Sequence, residues 1–249
     1  MISIKSKSEL QKIRNSGLIV AKTLKYLKSK VKPGITTRQL DLEAANFIKK
    51  HNARAAFLNY HGYPGSICAS INEEVVHGIP GDRVLLEGDI ISLDVGVELA
   101  GYFGDSAITV AVGKISDQNK KLIEVTRDAL YKAIDVARKD NYLSDIGYAV
   151  QSYVEKAGFA VVRDFVGHGI GAKLHEEPQI PNFGKPGNGV KLRPGMVLAI
   201  EPMVNLGTWK VEVLGDGWTA VTQDDSCSAH FEHTICITNS KAKILTALN

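Results

Sequence analysis

Leu10, Ile13, Gly17, Val20, Leu24 and Leu27 recur at helical spacing near the start of the chain. Ser6-Lys7-Ser8-Glu9 precedes most of them and matches a capping box, in which side chains three residues apart satisfy each other's free backbone N–H groups. Lys32-Pro33-Gly34 stops this helix. A second capping box, Thr36 to Gln39, opens another helix with Leu40, Ala44, Phe47 and Ile48 on one face. The pattern then turns strand-like over residues 55–60, 67–71, 84–97 and 102–112, with a tight turn expected at Leu99-Ala100. Helical spacing returns over residues 117–138, then through Ile146, Val150 and Val154 to a stop at Gly158. Strand-like segments follow at 159–162, 196–204, 210–213, 217–221 and 230–238.

Two helices and a set of strands thus occur twice, which predicts an α+β fold. The segment LLEGDIISLD (residues 85–94) aligns with LRPGMVLAIE (192–201). Each has a Leu three before a Gly, an apolar run after it, and a carboxylate six beyond it. The expectation is one domain, residues 1–249, with related halves at roughly 1–113 and 114–249 and no linker between them. A pseudo-twofold axis would bring Asp94 and Glu201 to equivalent, facing positions.

Asp94 interrupts Ile90, Ile91, Leu93, Val95 and Val97, although aspartate is depleted in strands. With a two-residue loop at Leu99-Ala100, Asp94 and Asp105 would be direct cross-strand neighbours. Like charges so placed repel unless a cation neutralises them, one carboxyl is protonated, or both are wet. Glu201 and Glu232 are two more acids read in apolar strands. Carboxylates with an imidazole suit Mn, Fe, Co or Zn. Four carboxylates exceed what one ion needs, so two ions are implied. A histidine beside glycine is ordinarily a loop residue, and His51 and His61 are read so.

Composition places these features in an ordinary soluble protein, with 44% hydrophobic and 23% charged residues. Three cysteines do not read as a disulfide framework and fit a reducing compartment. No apolar run has signal-peptide or membrane-helix length, so a cytoplasmic protein is expected. Residues 1–32 carry nine basic side chains against one acid, Glu9, in a chain of net charge +3. That face reads as solvated rather than as a nucleic-acid surface, since only Tyr26 interleaves it.

Several motifs carry a resemblance: YHGYP (60–64), SINEEVVHGIP (70–80), Gly88-Asp89-Ile90, Gly104-Asp105, GHGIG (167–171), HEEP (175–178), Glu201-Pro202 and FEHT (231–234). With these, the chain resembles type I methionine aminopeptidases of the minimal bacterial kind, nearly end to end. The resemblance implies the pita-bread fold and metal-dependent removal of N-terminal methionine from nascent chains when the second residue is small. A cytoplasmic monomer is expected, and transient ribosome association alongside catalysis stays open because the substrate is a nascent chain. Metal ligands would be Asp94, Asp105, His168, Glu201 and Glu232, with Asp105 and Glu232 bridging two divalent ions. Glu201 would double as the base. His175 would contact the substrate carbonyl, and His77 the substrate near the scissile amide. Tyr60, Tyr63, Cys68 and Trp218 would surround the methionine, and Asn72 and Ser228 would lie near a monovalent cation. Phe57, Leu174 and His230 depart from the usual Cys, aromatic and Gln, which bears on pocket shape and on the groups behind the ligands. An Xaa-Pro peptidase of the same fold is one alternative, although a first capping box at Ser6 leaves no room for the extra N-terminal domain usual there. A non-catalytic ribosome- or RNA-binding module is another, although such relatives lose ligands and all five are present.

Overall fold

The computed structural model describes residues 2–248; Met1 and Asn249, the ends of the expected single domain, lie outside the described residues. Both predicted capping boxes form. Helix α1 (Lys7–Lys30) starts with Ser6 N donating to Glu9 Oε2 at 2.8 Å. Helix α2 (Thr37–Lys50) starts with Thr36 N donating to Gln39 Oε1 at 2.9 Å and Gln39 N donating back to Thr36 Oγ1 at 3.2 Å. Helices α3 (Asp117–Val136) and α4 (Leu143–Lys156) open the second half. Among the described residues no helix is long and apolar enough to cross a membrane.

The strands that carry the site are β1 (Cys68–Ile71), β2 (Ile90–Leu99), β3 (Tyr102–Ala111), β4 (Gly167–Gly169), β5 (Glu176–Ile180), β6 (Val197–Ile200), β7 (Met203–Asn205), β8 (Ser228–His230) and β9 (His233–Cys236). All their ladders are antiparallel. In one sheet β2 lies between β3 and β1, with Arg54–Ala55 also on the β1 side. In another, β4 and β6 are central, β5 flanks β4, and β9 flanks β6. Strand β7 pairs with β8 and with Ala160–Val161. Helices α1 and α2 bury Val20, Leu24, Leu40 and Ile48 against Ile91, Leu93 and Val95. Helices α3 and α4 bury Leu122, Ala129, Ile146 and Val150 against Leu198, Ile200 and Val204. A third cluster, including Ile13, Phe57, Tyr63, Ile170 and Leu174, lies around the cavity described below.

The aligned segments are built alike. Leu85 N donates to Ile35 O and Leu192 N to Asn141 O, both at 2.8 Å. The residue before each Leu bridges to the residue capping the second helix of its half, Val84 to Thr36 and Lys191 to Tyr142. Gly88 and Gly195 both adopt positive φ, 100° and 89°, which glycine tolerates without a Cβ clash. Hydroxyls join the halves. Asp105 N donates to Thr234 Oγ1 at 3.0 Å, and Thr234 Oγ1 donates to Asp105 O at 2.7 Å. Ser106 Oγ donates to Glu232 O, and Glu232 N to Ala107 O at 2.9 Å.

The structure corrects several readings. The β2–β3 turn is Ala100-Gly101, not Leu99-Ala100, because Leu99 pairs with Tyr102. Both turn residues have positive φ, 52° and 77°, as the two-residue hairpin turns that match strand twist require. Asp94 therefore faces Ala107, and Asp105 faces Gly96; the two acids are diagonal neighbours on one face rather than direct partners. The expected strand at 84–97 begins only at Ile90, and that at 55–60 shrinks to Arg54–Ala55 followed by turns. The expected strands 196–204 and 230–238 each break at their acid. Pro202 has no N–H for a ladder, and Glu201-Pro202 lies outside both β6 and β7. Phe231-Glu232 interrupts the partner at the matching point. The register is Ile200 to His233 on one side of the gap and Met203 to His230 on the other. It is continuous, so Glu201 lies opposite Glu232.

Gly17 brings α1 against the C-terminal segment, where an added Cβ would sit 2.4 Å from Leu245 O. Alanine gains about 1 kcal/mol of helix propensity over glycine. The forced backbone shift costs roughly 1–3 kcal/mol. Gly17→Ala is therefore expected to lower stability in urea denaturation; a more stable variant would show that α1 is free to move away.

Candidate metal centre

The four acids arrive from two antiparallel pairings, the β2–β3 hairpin and the paired segments β6–β7 and β8–β9. Asp94 comes from the middle of β2, directly opposite Cys68 on β1. Asp105 comes from β3, while Glu201 and Glu232 occupy the matched breaks after β6 and β8. His168, on β4, faces Ala199 across the ladder to β6. Donor atoms of Asp105, His168 and Glu232 lie within 4.8 Å of one another, all three side chains buried. Glu201 Oε1 is 3.6 Å from His168 Nε2. All five residues line one cavity of about 290 Å³.

The electrostatics follow from burial of like charges. Burial raises the Asp94 carboxyl to about 7. Burial, then Asp94 and Glu201, push Asp105 well above the usual carboxylate range. Burial and neighbouring acids push Glu201 and Glu232 up as well. Among the described residues, six buried side-chain polar atoms have no hydrogen-bond partner. Three of them are Asp94 Oδ1, Asp105 Oδ1 and Glu232 Oε1, and a fourth, His230 Nε2, lies close by. Buried oxygens without a donor are costly, and a divalent cation supplies what they lack.

His168 is held ready as a ligand. Its Nδ1 lies 2.9 Å from Gly169 O, which can only accept, so the ring proton is on Nδ1 and the Nε2 lone pair is free. Burial lowers this imidazole to about 3, which keeps it neutral. Carboxylates with a neutral imidazole make a donor set fitted to a borderline divalent ion.

The other predicted residues divide. Tyr60, Tyr63, Cys68, His77, His175 and Trp218 all line the same cavity. Tyr63 is buried, its hydroxyl donating to Gly78 O at 2.9 Å, and its ring meets Trp218 edge-on at 5.1 Å. Burial and Asp94 push the Cys68 thiol well up, so it is a neutral apolar wall. His77 sits edge-on to Phe165 and Trp218, and burial lowers it to about 4. His175 is exposed at the mouth, its Nδ1 2.8 Å from Tyr60 Oη. Asn72 and Ser228 meet each other, Ser228 N donating to Asn72 O at 2.7 Å, but do not line the cavity. Of the departures, Phe57 lines the cavity, whereas Leu174 is buried in the cluster beside it. His61, read as a plain surface loop residue, is exposed but also lines the mouth. Asn182 was missed altogether; its Nδ2 donates to Glu201 O at 2.9 Å. No periodicity marks an asparagine in a loop for that role.

The sequence pattern of Metallopeptidase family M24 matches residues 11–239. The chain belongs to metallopeptidase family M24. Within M24 it is 56% identical over 246 residues to "Methionine aminopeptidase 1" of Bacillus subtilis, covering 99% of each chain. It is 51% identical over 248 residues to "Methionine aminopeptidase" of Clostridium perfringens, covering all of both. The crystal structure of methionine aminopeptidase from Rickettsia prowazekii superposes with a TM-score of 0.98 at 46% identity, over 99% of this chain and 100% of that one. The architecture is accordingly the pita-bread fold of these M24 members.

If buried like charge dominates the bare site, Glu232→Gln is expected to stabilise the protein in chelator. A gain of about 1 kcal/mol raises Tm by roughly 2–4 °C in a chain of this size. The same variant is expected to lose the rise in Tm on adding Mn²⁺ or Co²⁺. A lower Tm in chelator, or an undiminished rise with metal, would contradict this.

Proposed function

We propose that this chain is a methionine aminopeptidase that removes N-terminal methionine, when the second residue is small, by metal-dependent hydrolysis. The observation that carries the reading is the cavity itself. Four acids and an imidazole meet beneath a wall of Phe57, Tyr63, Cys68 and Trp218. At about 290 Å³ it is at the lower limit of small-ligand sites, roughly 300–1,000 Å³, and suits a single side chain. The wall is apolar and holds a neutral thiol, matching an unbranched thioether. The following residues of the peptide would lie in the wider groove outside, about 860 Å³, which also touches His77, His168 and Glu201. Nascent chains are the proposed source of such ends.

Asp94, Asp105, His168, Glu201 and Glu232 would hold two divalent ions from among Mn, Fe, Co and Zn. An accessory monovalent cation would lie beside Asn72 and Ser228. The divalent ions would acidify a water and polarise the substrate carbonyl. Glu201 would take one proton of the attacking water as the water oxygen bonds to the carbonyl carbon, and would pass that proton to the leaving amine as the C–N bond breaks. With Tyr60 Oη donating to His175 Nδ1, the remaining imidazole proton is on Nε2. That N–H donates to the developing oxyanion. His77, its ring fixed by Phe165 and Trp218, borders the scissile amide. The Phe57–Tyr63–Trp218 wall excludes water from the methionine side chain.

Met-Ala-Ser is expected to be cleaved to Met and Ala-Ser, and an Xaa-Pro peptide to be left intact. Chelation is expected to abolish cleavage and Mn²⁺ or Co²⁺ to restore it. Asp94→Ala with Asp105→Ala should lose at least roughly 10³-fold, and His175→Ala about 10²-fold in kcat with little change in KM. Wild-type turnover by the double variant, or faster cleavage of the Xaa-Pro peptide, would overturn the assignment.

A further inference from the structure

The ring of His230 is aimed at the centre of the site. The side chain is 2% exposed, and its Nε2 has no hydrogen-bond partner among the described residues. That atom faces Glu201 Oε2 at 3.9 Å, while Glu201 Oε1 faces His168 Nε2 at 3.6 Å. The Glu201 carboxylate therefore lies between two imidazoles, one on each oxygen. The His230 backbone is fixed: its N–H donates to Thr109 Oγ1, and Thr109 Oγ1 lies equally close to its carbonyl, both at 2.9 Å. Thr109 Oγ1 is in turn 2.8 Å from Ser92 Oγ. The backbone of His230, on β8 two residues before Glu232, is thus locked in place.

Two roles are open to such a ring. It could be a sixth metal ligand, or it could hold Glu201. Its near neighbour is the Glu201 oxygen turned away from His168. At 3.9 Å the pair is about 1 Å beyond hydrogen-bond length, a gap closed by a small carboxylate rotation or by one water. We propose that His230 is a positioning residue: its Nε2–H donates to Glu201 Oε2, directly or through one water, and leaves Oε1 facing His168 and the metal. The hydrogen bond stops the carboxylate from rotating and satisfies the oxygen that the metal does not use. The donor sits on a stiff ring, which holds the carboxylate more firmly than a flexible chain would.

This inference rests on reading Glu201 as a metal ligand, and the experiment separates the two. Chelator-stripped wild type, His230→Leu, His230→Asn and His230→Gln are titrated with Co²⁺ by calorimetry and visible absorption, and assayed on Met-Ala-Ser. Loss of a hydrogen bond behind a ligand costs roughly 10–100-fold in metal affinity or activity. His230→Leu is expected to bind Co²⁺ about tenfold more weakly and lose about tenfold in kcat, with KM little changed. His230→Asn, whose amide falls short of Glu201, should behave like Leu and serves if Leu does not fold. His230→Gln should recover affinity and kcat to within about threefold, with Co²⁺ bands of wild-type position and intensity. Wild-type affinity and kcat in both Leu and Asn variants would overturn the inference. Altered Co²⁺ bands in the Gln variant would make His230 a ligand and overturn it too. Failure of the wild type to bind Co²⁺ would remove the reading of the site itself.

Discussion

Like charges directly opposite in a buried antiparallel pair repel, and Glu201 and Glu232 stand in that relation. Asp94 and Asp105 add a diagonal pair from the β2–β3 hairpin. Burial raises all four carboxyls, and three of their oxygens lack any donor. Such an arrangement is unfavourable in isolation and becomes favourable only when cations enter it. The rest of the structure holds these groups where repulsion would otherwise separate them.

The holding is done by backbone and small hydroxyls rather than by opposing charges. Thr234 binds both N–H and C=O of Asp105, Ser106 binds the carbonyl of Glu232, and Asn182 binds that of Glu201. Each anchor leaves the carboxylate itself untouched and available. Gly169 does the same for His168 by taking its Nδ1 proton. Two separate apolar cores, one under each helix pair, press the hairpins together from outside. The catalytic potential of the site thus depends on rigid neighbours that contribute no charge.

Much of this was legible in the chain. Capping boxes marked both first-half helices because they are local, reciprocal interactions. The aligned Leu-x-x-Gly segments were visible because each needs a glycine with positive φ at the same point. Acids in apolar runs pointed to a metal, yet the wrong pair was taken as directly opposed. The error came from one residue in the turn: Gly101, not Leu99, supplies the positive φ. The true facing pair, Glu201 and Glu232, is 31 positions apart in sequence, and its register depends on tertiary pairing that no local pattern encodes. Asn182 and the aim of His230 were hidden for the same reason. The proposed methionine pocket rests on resemblance, and residues 57, 63, 68 and 218 give it an apolar wall only because the fold brings them around one cavity.

Metal stoichiometry tests the central claim most directly. Chelator-stripped protein titrated with Mn²⁺ or Co²⁺ is expected to bind two ions per chain. Glu201→Gln combined with Glu232→Gln should abolish both while the fold is kept. No binding by the wild type, or undiminished binding by that double variant, would contradict the view that the opposed carboxylates exist to hold metal.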